Sequence, residues 1–100
     1  MENKFALPDD VYKQITAVLQ RYPEIKCVKI FGSRAKGIQK RYSDVDIAVF
    51  SETERDLSPC IKDDLDDLDV IYNFDVLHYE KITCPDVKAH IDRAGILLQY

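Results

Sequence analysis

Two aspartates one residue apart, Asp44 and Asp46, follow a Gly32-Ser33 pair after ten intervening residues in "FGSRAKGIQKRYSDVDIAVF", residues 31–50. Aspartates at i and i+2 of a strand point the same way, about 6.6 Å apart. At that spacing two charges repel by roughly 2–3 kcal/mol at an effective dielectric near 20. A divalent cation removes the repulsion, and Mg²⁺ takes one or two carboxylates together with substrate phosphates. The Gly-Ser pair offers the complementary grip. Glycine after a strand lets the backbone turn sharply and approach a ligand. Backbone N–H groups and a hydroxyl at a helix start form an anion site. Arg34 can add a charge-assisted hydrogen bond to a phosphate oxygen.

Each half has an ordinary reading when taken alone. Asp-Val-Asp also describes a solvated strand start. Gly-Ser also describes a strand-to-helix turn with a serine N-cap. Their combination, in the order strand, turn, helix, strand, is far more specific than either half. A metal–triphosphate needs both grips at once.

The elements that must position these residues are legible as periodicities. Val11, Ile15, Val18, Leu19 and Tyr22 share one helical face. Pro8 suits the first position of that helix, Asp9 and Asp10 suit its positive end, and Pro23 stops it. Residues 26–31, "KCVKIF", read as a strand with Val28 and Ile30 on one face, ended by Gly32. A short helical turn is expected from Ser33 to Gly37. Residues 44–50, "DVDIAVF", form a second strand. Leu57, Ile61, Leu65 and Leu68 recur at helical spacing, so 56–68 reads as a helix with an acidic outer face. Residues 73–79, "NFDVLHY", are a third strand. Pro85 opens a last helix carrying Val87, Ile91 and Ala94, and Gly95 ends it. The tail "ILLQY" reads as an edge strand, with Ile96, Leu97, Leu98 and Tyr100 favoured for the core over an interface. Helices beside a small sheet make an α/β or α+β domain.

Composition sets the outer bounds. The 100 residues are 46% apolar and 32% charged, which fits one globular domain spanning 1–100. No apolar run approaches a membrane span, and "MENKFALPDD" is not a signal peptide, so a cytoplasmic protein is expected. Cys27, Cys60 and Cys84 are widely spaced and lack a Cys-x-x-Cys, and His78 and His90 are not at zinc-finger offsets. Reduced structural thiols are expected. The net charge of −4 argues against a nucleic-acid partner. Lys36, Lys40 and Arg41 are read as solvated surface groups, with steering of a polyanion as the alternative. Asp63, Asp64, Asp66 and Asp67 are read as a solvated face.

Gly32, Ser33, Arg34, Ala35 and Gly37, followed by Asp44 and Asp46, resemble the signature of the DNA polymerase β-like nucleotidyltransferase superfamily. The Gly-Ser-Arg-Ala-x-Gly form is closest to the minimal nucleotidyltransferases (MNT). The resemblance spans the chain from the first helix to the third strand. It implies a nucleotidyltransferase fold, a small mixed sheet flanked by helices. It also implies a third carboxylate on a neighbouring strand. Asp75 is the first candidate, because it faces away from its apolar neighbours Phe74 and Val76. Asp69, at the end of the acidic run, is the second.

By the same resemblance, Asp44, Asp46 and Asp75 are the catalytic and metal-binding set. They would hold two Mg²⁺ ions with a nucleoside triphosphate, ATP being the expected substrate. Gly32, Ser33 and Arg34 would hold its phosphates. Larger relatives carry a second domain for the acceptor, and 100 residues leave little room for one. A partner is therefore expected, and the resemblance points to a small helical HEPN protein. In such toxin–antitoxin pairs the MNT member transfers AMP to a tyrosine of the HEPN toxin. Two other readings stay open. One is a non-catalytic module that masks a toxin by binding. The other is a transferase for a small molecule or RNA end, completed by a partner subunit.

Overall fold

The computed structural model of the chain describes residues 7–32 and 44–98. The first helix, α1, runs from Asp9 to Leu19 and buries Val11, Ile15, Val18 and Leu19. Pro8 is its N-cap, one place earlier than expected, and its carbonyl accepts from Tyr12 N–H at 2.9 Å. The helix ends before Pro23 through two turns. Tyr22 therefore lies beyond it, and its hydroxyl donates to Asp64. Burial, then the bond to Asp64 and its charge, push the Tyr22 phenol up to about 12. Asp64 is thus tied down, where the sequence suggested only solvation.

Four strands form one mixed sheet: β1 (Cys27–Phe31), β2 (Val45–Phe50), β3 (Phe74–His78) and β4 (Ile96–Leu98), in the order β3-β2-β1-β4. β1 is antiparallel to β2 and to β4, and β2 is parallel to β3. A parallel pair needs a crossover, supplied here by α2 (Ser58–Asp66). α2 is shorter than the apolar spacing suggests. Asp56 spends its carboxylate on Ser58, accepting from its N–H at 2.9 Å and its hydroxyl at 2.7 Å, and so stays outside the helix. After Asp66 the chain turns and bends through 67–71.

Alternation along the strands divides the sheet into two faces. Val28, Ile30, Val45, Ile47, Val49, Phe74 and Val76 join α1 and α2 in the main core. Burying each such side chain fully contributes about 1.5–3 kcal/mol. His78 reaches the same side and is buried with its ring satisfied. Leu57 N–H donates to Nδ1 at 3.1 Å, so the ring proton sits on Nε2 and donates to the Ser51 carbonyl at 3.1 Å.

The opposite face carries the last helix, α3 (Pro85–Ala94), and a single 3₁₀ turn at Tyr79–Lys81. Tyr79 stacks on Phe50 with centroids 4.4 Å apart and donates to Asp92 of α3. Phe31 meets His90 of α3 edge to face. Gly95 ends α3, but not in the left-handed conformation usual at that place: φ is −69° and ψ 140°. Space is the reason. A β-carbon there would lie 2.5 Å from the Ile91 carbonyl oxygen and 3.1 Å from the Lys29 side chain.

β4 lies at one edge of the sheet, as expected, with Leu98 buried and Leu97 exposed. β3 lies at the other edge. There Lys62 of α2 donates to the Phe74 carbonyl at 2.9 Å while pairing with Asp66 at 3.0 Å. The three cysteines are free thiols. Among the described residues, no helix is long and apolar enough to cross a membrane.

Candidate functional site

Strand register brings the acidic residues together. β2 and β3 run parallel with Asp46 opposite Asp75, and β1 and β2 run antiparallel with Phe31 opposite Asp46. One row across the sheet therefore reads Asp75, Asp46, Phe31. All three lie on the face away from the main core, because Val45, Ile47, Phe74 and Val76 take the other face. Asp44 stands one residue before β2 and is exposed, as is Asp75.

Asp46 bears the electrostatic cost of this arrangement. Its pKa is pushed up to about 6 by partial burial, then by the Asp75 charge, a hydrogen bond with Asp75, and the Asp44 charge. A hydrogen bond between two carboxyl groups requires that one be protonated. Burial and the neighbouring carboxylates thus make the ionised form of Asp46 costly, a cost that a proton or a cation would relieve.

Gly32 closes the site from the β1 side. It has φ +76°, a left-handed backbone that disfavours any side chain. A β-carbon at this position would also overlap Asp46 Oδ2. The turn after β1 thus brings bare backbone against a carboxylate, and only glycine leaves the room. Ser33 and Arg34 lie outside the described residues, as do the proposed turn to Gly37, Lys36, Lys40, Arg41 and Tyr100. The alternative third carboxylate, Asp69, is exposed in the bends after α2 and belongs to no strand.

The donor set is suited to a hard cation. It offers carboxylate oxygens, already crowded enough to hold a proton above the usual carboxylate range. Among the described residues, no three His, Cys, Asp or Glu side chains are arranged to enclose a metal by themselves. A cation here would complete its shell with oxygens of a bound molecule, which is how Mg²⁺ ordinarily sits with phosphates.

Nothing along the chain marked Phe31 and His90 as neighbours of this site. Phe31 reads as the end of a strand, and nothing in its spacing to His90 predicts contact. Their centroids are 6.1 Å apart with planes at 81°. The tertiary placement of α3 brings them together.

The family model for polymerase beta nucleotidyltransferases matches residues 13–99. No curated protein matches the chain in sequence. Several solved structures share the fold. A chain of a toxin–antitoxin complex with AMP-PNP aligns with a TM-score of 0.67 and 23% identity, over 88% of this chain and 72% of that one. A chain of a mutant MntA–HpeT toxin–antitoxin complex aligns with a TM-score of 0.64 and 20% identity, over 88% and 71%. A chain from the tri-AMPylated Shewanella oneidensis HEPN toxin in complex with MNT antitoxin aligns at 0.61 and 19%, over 89% and 69%.

Proposed function

This chain belongs to the polymerase beta nucleotidyltransferase family, and on that premise we propose that it transfers AMP from ATP, with Mg²⁺, to a tyrosine hydroxyl of a helical HEPN-family partner, acting as an antitoxin. The observation that carries the reading is the cross-strand pair Asp46–Asp75 with Gly32 packed against Asp46. Crowded carboxylates on neighbouring strands beside a left-handed glycine are costly in a domain that only scaffolds. They are suited to a site that receives cations and phosphates. Two relatives in fold, one a toxin–antitoxin complex with AMP-PNP and one a complex with a tri-AMPylated HEPN toxin, support the choice of nucleotide and acceptor.

In this mechanism Asp44, Asp46 and Asp75 would hold the metal ions, and bound Mg²⁺ would supply charge neutralisation for the phosphoryl transfer. Gly32 brings backbone close to the triphosphate, and Ser33 and Arg34 take its β and γ phosphates. Asp75, at the β3 edge, orients the acceptor hydroxyl, and its carboxylate takes up the phenolic proton as the oxygen attacks. The phenolic oxygen attacks the α-phosphorus. The bond from that phosphorus to the β-phosphate bridging oxygen breaks, and pyrophosphate leaves. Positioning and charge neutralisation supply most of the acceleration.

The test is mass spectrometry of a HEPN partner co-expressed with this chain. A tyrosine carrying AMP, absent with Asp44→Ala/Asp46→Ala, is the expected result. A partner that binds but stays unmodified would replace this reading with masking by binding. A modified small molecule in place of the protein would move the acceptor class.

A further inference from the structure

Asp46 has two flanks, and they differ in chemistry. On one side stands Asp75, on β3, which among the described residues is an edge strand of the sheet. On the other stands Phe31, whose ring meets the His90 imidazole of α3 edge to face at 6.1 Å. Phe31 and His90 are both half-buried, so each keeps part of its surface open. The row across the sheet runs from solvent-facing acid, through the half-buried acid, to an aromatic wall.

An acceptor carried by another molecule reaches Asp75 most directly across the open β3 edge. That leaves the nucleoside the opposite flank. A ring face there stacks with a planar base whatever its sequence identity, and an imidazole adds N–H donor and acceptor positions. We infer that Phe31 and His90 form the wall that receives the base of the nucleotide. They, and not the carboxylates, then set the difference in affinity between a nucleoside triphosphate and bare triphosphate. The inference rests on the nucleotide reading above and assigns residues to a part of the substrate that the acidic row does not touch.

The edge-on geometry gives each residue a separate task. His90, standing on a helix, fixes the tilt of the Phe31 ring. Phe31, preceding Gly32, links that tilt to the phosphate turn. Loss of His90 should therefore affect ligands that have a base and spare those that do not.

The test is calorimetric titration of the full chain with Mg²⁺ present, using ATP and inorganic tripolyphosphate as separate ligands. His90→Ala should weaken ATP about five- to tenfold, at the lower end of what base–aromatic stacking supplies, and leave tripolyphosphate unchanged. His90→Phe, which keeps a ring, should retain most of the ATP affinity. Phe31→Leu should act in the same direction as His90→Ala. Equal weakening of both ligands by His90→Ala, or no weakening of ATP, would overturn the inference while leaving the nucleotide reading intact. A wild-type chain that binds neither ligand would overturn both.

Discussion

Gly32 and Asp46 are in such close contact that a β-carbon on residue 32 would occupy the place of Asp46 Oδ2. The glycine of the phosphate-type turn and the central carboxylate are therefore one structural unit. Whatever disturbs the first displaces the second.

Gly32→Ala tests that unit. The left-handed backbone alone costs a side chain roughly 1–2 kcal/mol. The overlap adds a shift of the Asp46 carboxyl. The expected outcome is a destabilisation of about 1–3 kcal/mol in urea unfolding and at least a tenfold loss of Mg²⁺-dependent nucleotide affinity. Unchanged affinity would mean that Asp46 does not need its present position.

The raised pKa of Asp46 makes a stability prediction of definite sign. With a value of about 6 in the fold against 3.8 for the free group, the folded chain holds the extra proton between those pH values. Its stabilising contribution is present below about pH 4 and is lost as pH rises through 6. Asp46→Asn removes the titration and the repulsion. The variant should melt higher than wild type at pH 7.5, and the gap should shrink towards pH 4. Thermal unfolding across that range checks it; a gap that widens on acidification contradicts the Asp46–Asp75 coupling. Added Mg²⁺ should raise the wild-type midpoint at pH 7.5 and leave Asp46→Asn nearly unmoved.

Asp75 and Asp69 separate a positioned carboxylate from a solvated one. Asp75→Asn should lower nucleotidyl transfer by about a hundredfold or more, the usual scale for a group that manages the reacting proton. Asp69→Asn should stay within about twofold, as exposed substitutions away from a site ordinarily do. The comparison is of initial rates under identical Mg²⁺. Equal losses at both positions would remove Asp75 from its assigned place.

His78 predicts a purely structural loss. Its two ring nitrogens join the Leu57 N–H to the Ser51 carbonyl inside the fold. His78→Leu fills similar space but strands both backbone groups. The expected cost is about 2–4 kcal/mol, read by urea unfolding. A loss under about 0.5 kcal/mol would mean that neither bond matters to stability.

Much of this was readable along the chain because it depends on period. Val28 and Ile30, or Val11, Ile15 and Val18, declare their faces by spacing alone. Asp75 declared its face in the same way, between Phe74 and Val76, but its register opposite Asp46 came only from the parallel pairing of β2 and β3. What the sequence could not show depends on relations between distant elements. The Phe31–His90 contact joins residues 59 positions apart. Gly95 was legible only as a helix end, while the reason it must be glycine, the closeness of Ile91 and Lys29, lies in tertiary packing. Asp64 looked solvated because Tyr22 sits on another helix's trailing turn. Leu57 and Ser58 fitted a helix from 56, but the competing Asp56–Ser58 bonds are side-chain chemistry that periodicity ignores.

The α2 lysine that reaches the outer strand has a colloidal consequence. A bare strand edge is a template on which copies of the same chain can add. Lys62 puts an ammonium on the Phe74 carbonyl, at the start of β3. A second copy docking there would have to strip that charge of its partners and bury it. Edge-to-edge growth is thereby penalised at the start of β3, the strand that carries the exposed Asp75. Accessibility to another molecule and resistance to self-association are met by one side chain.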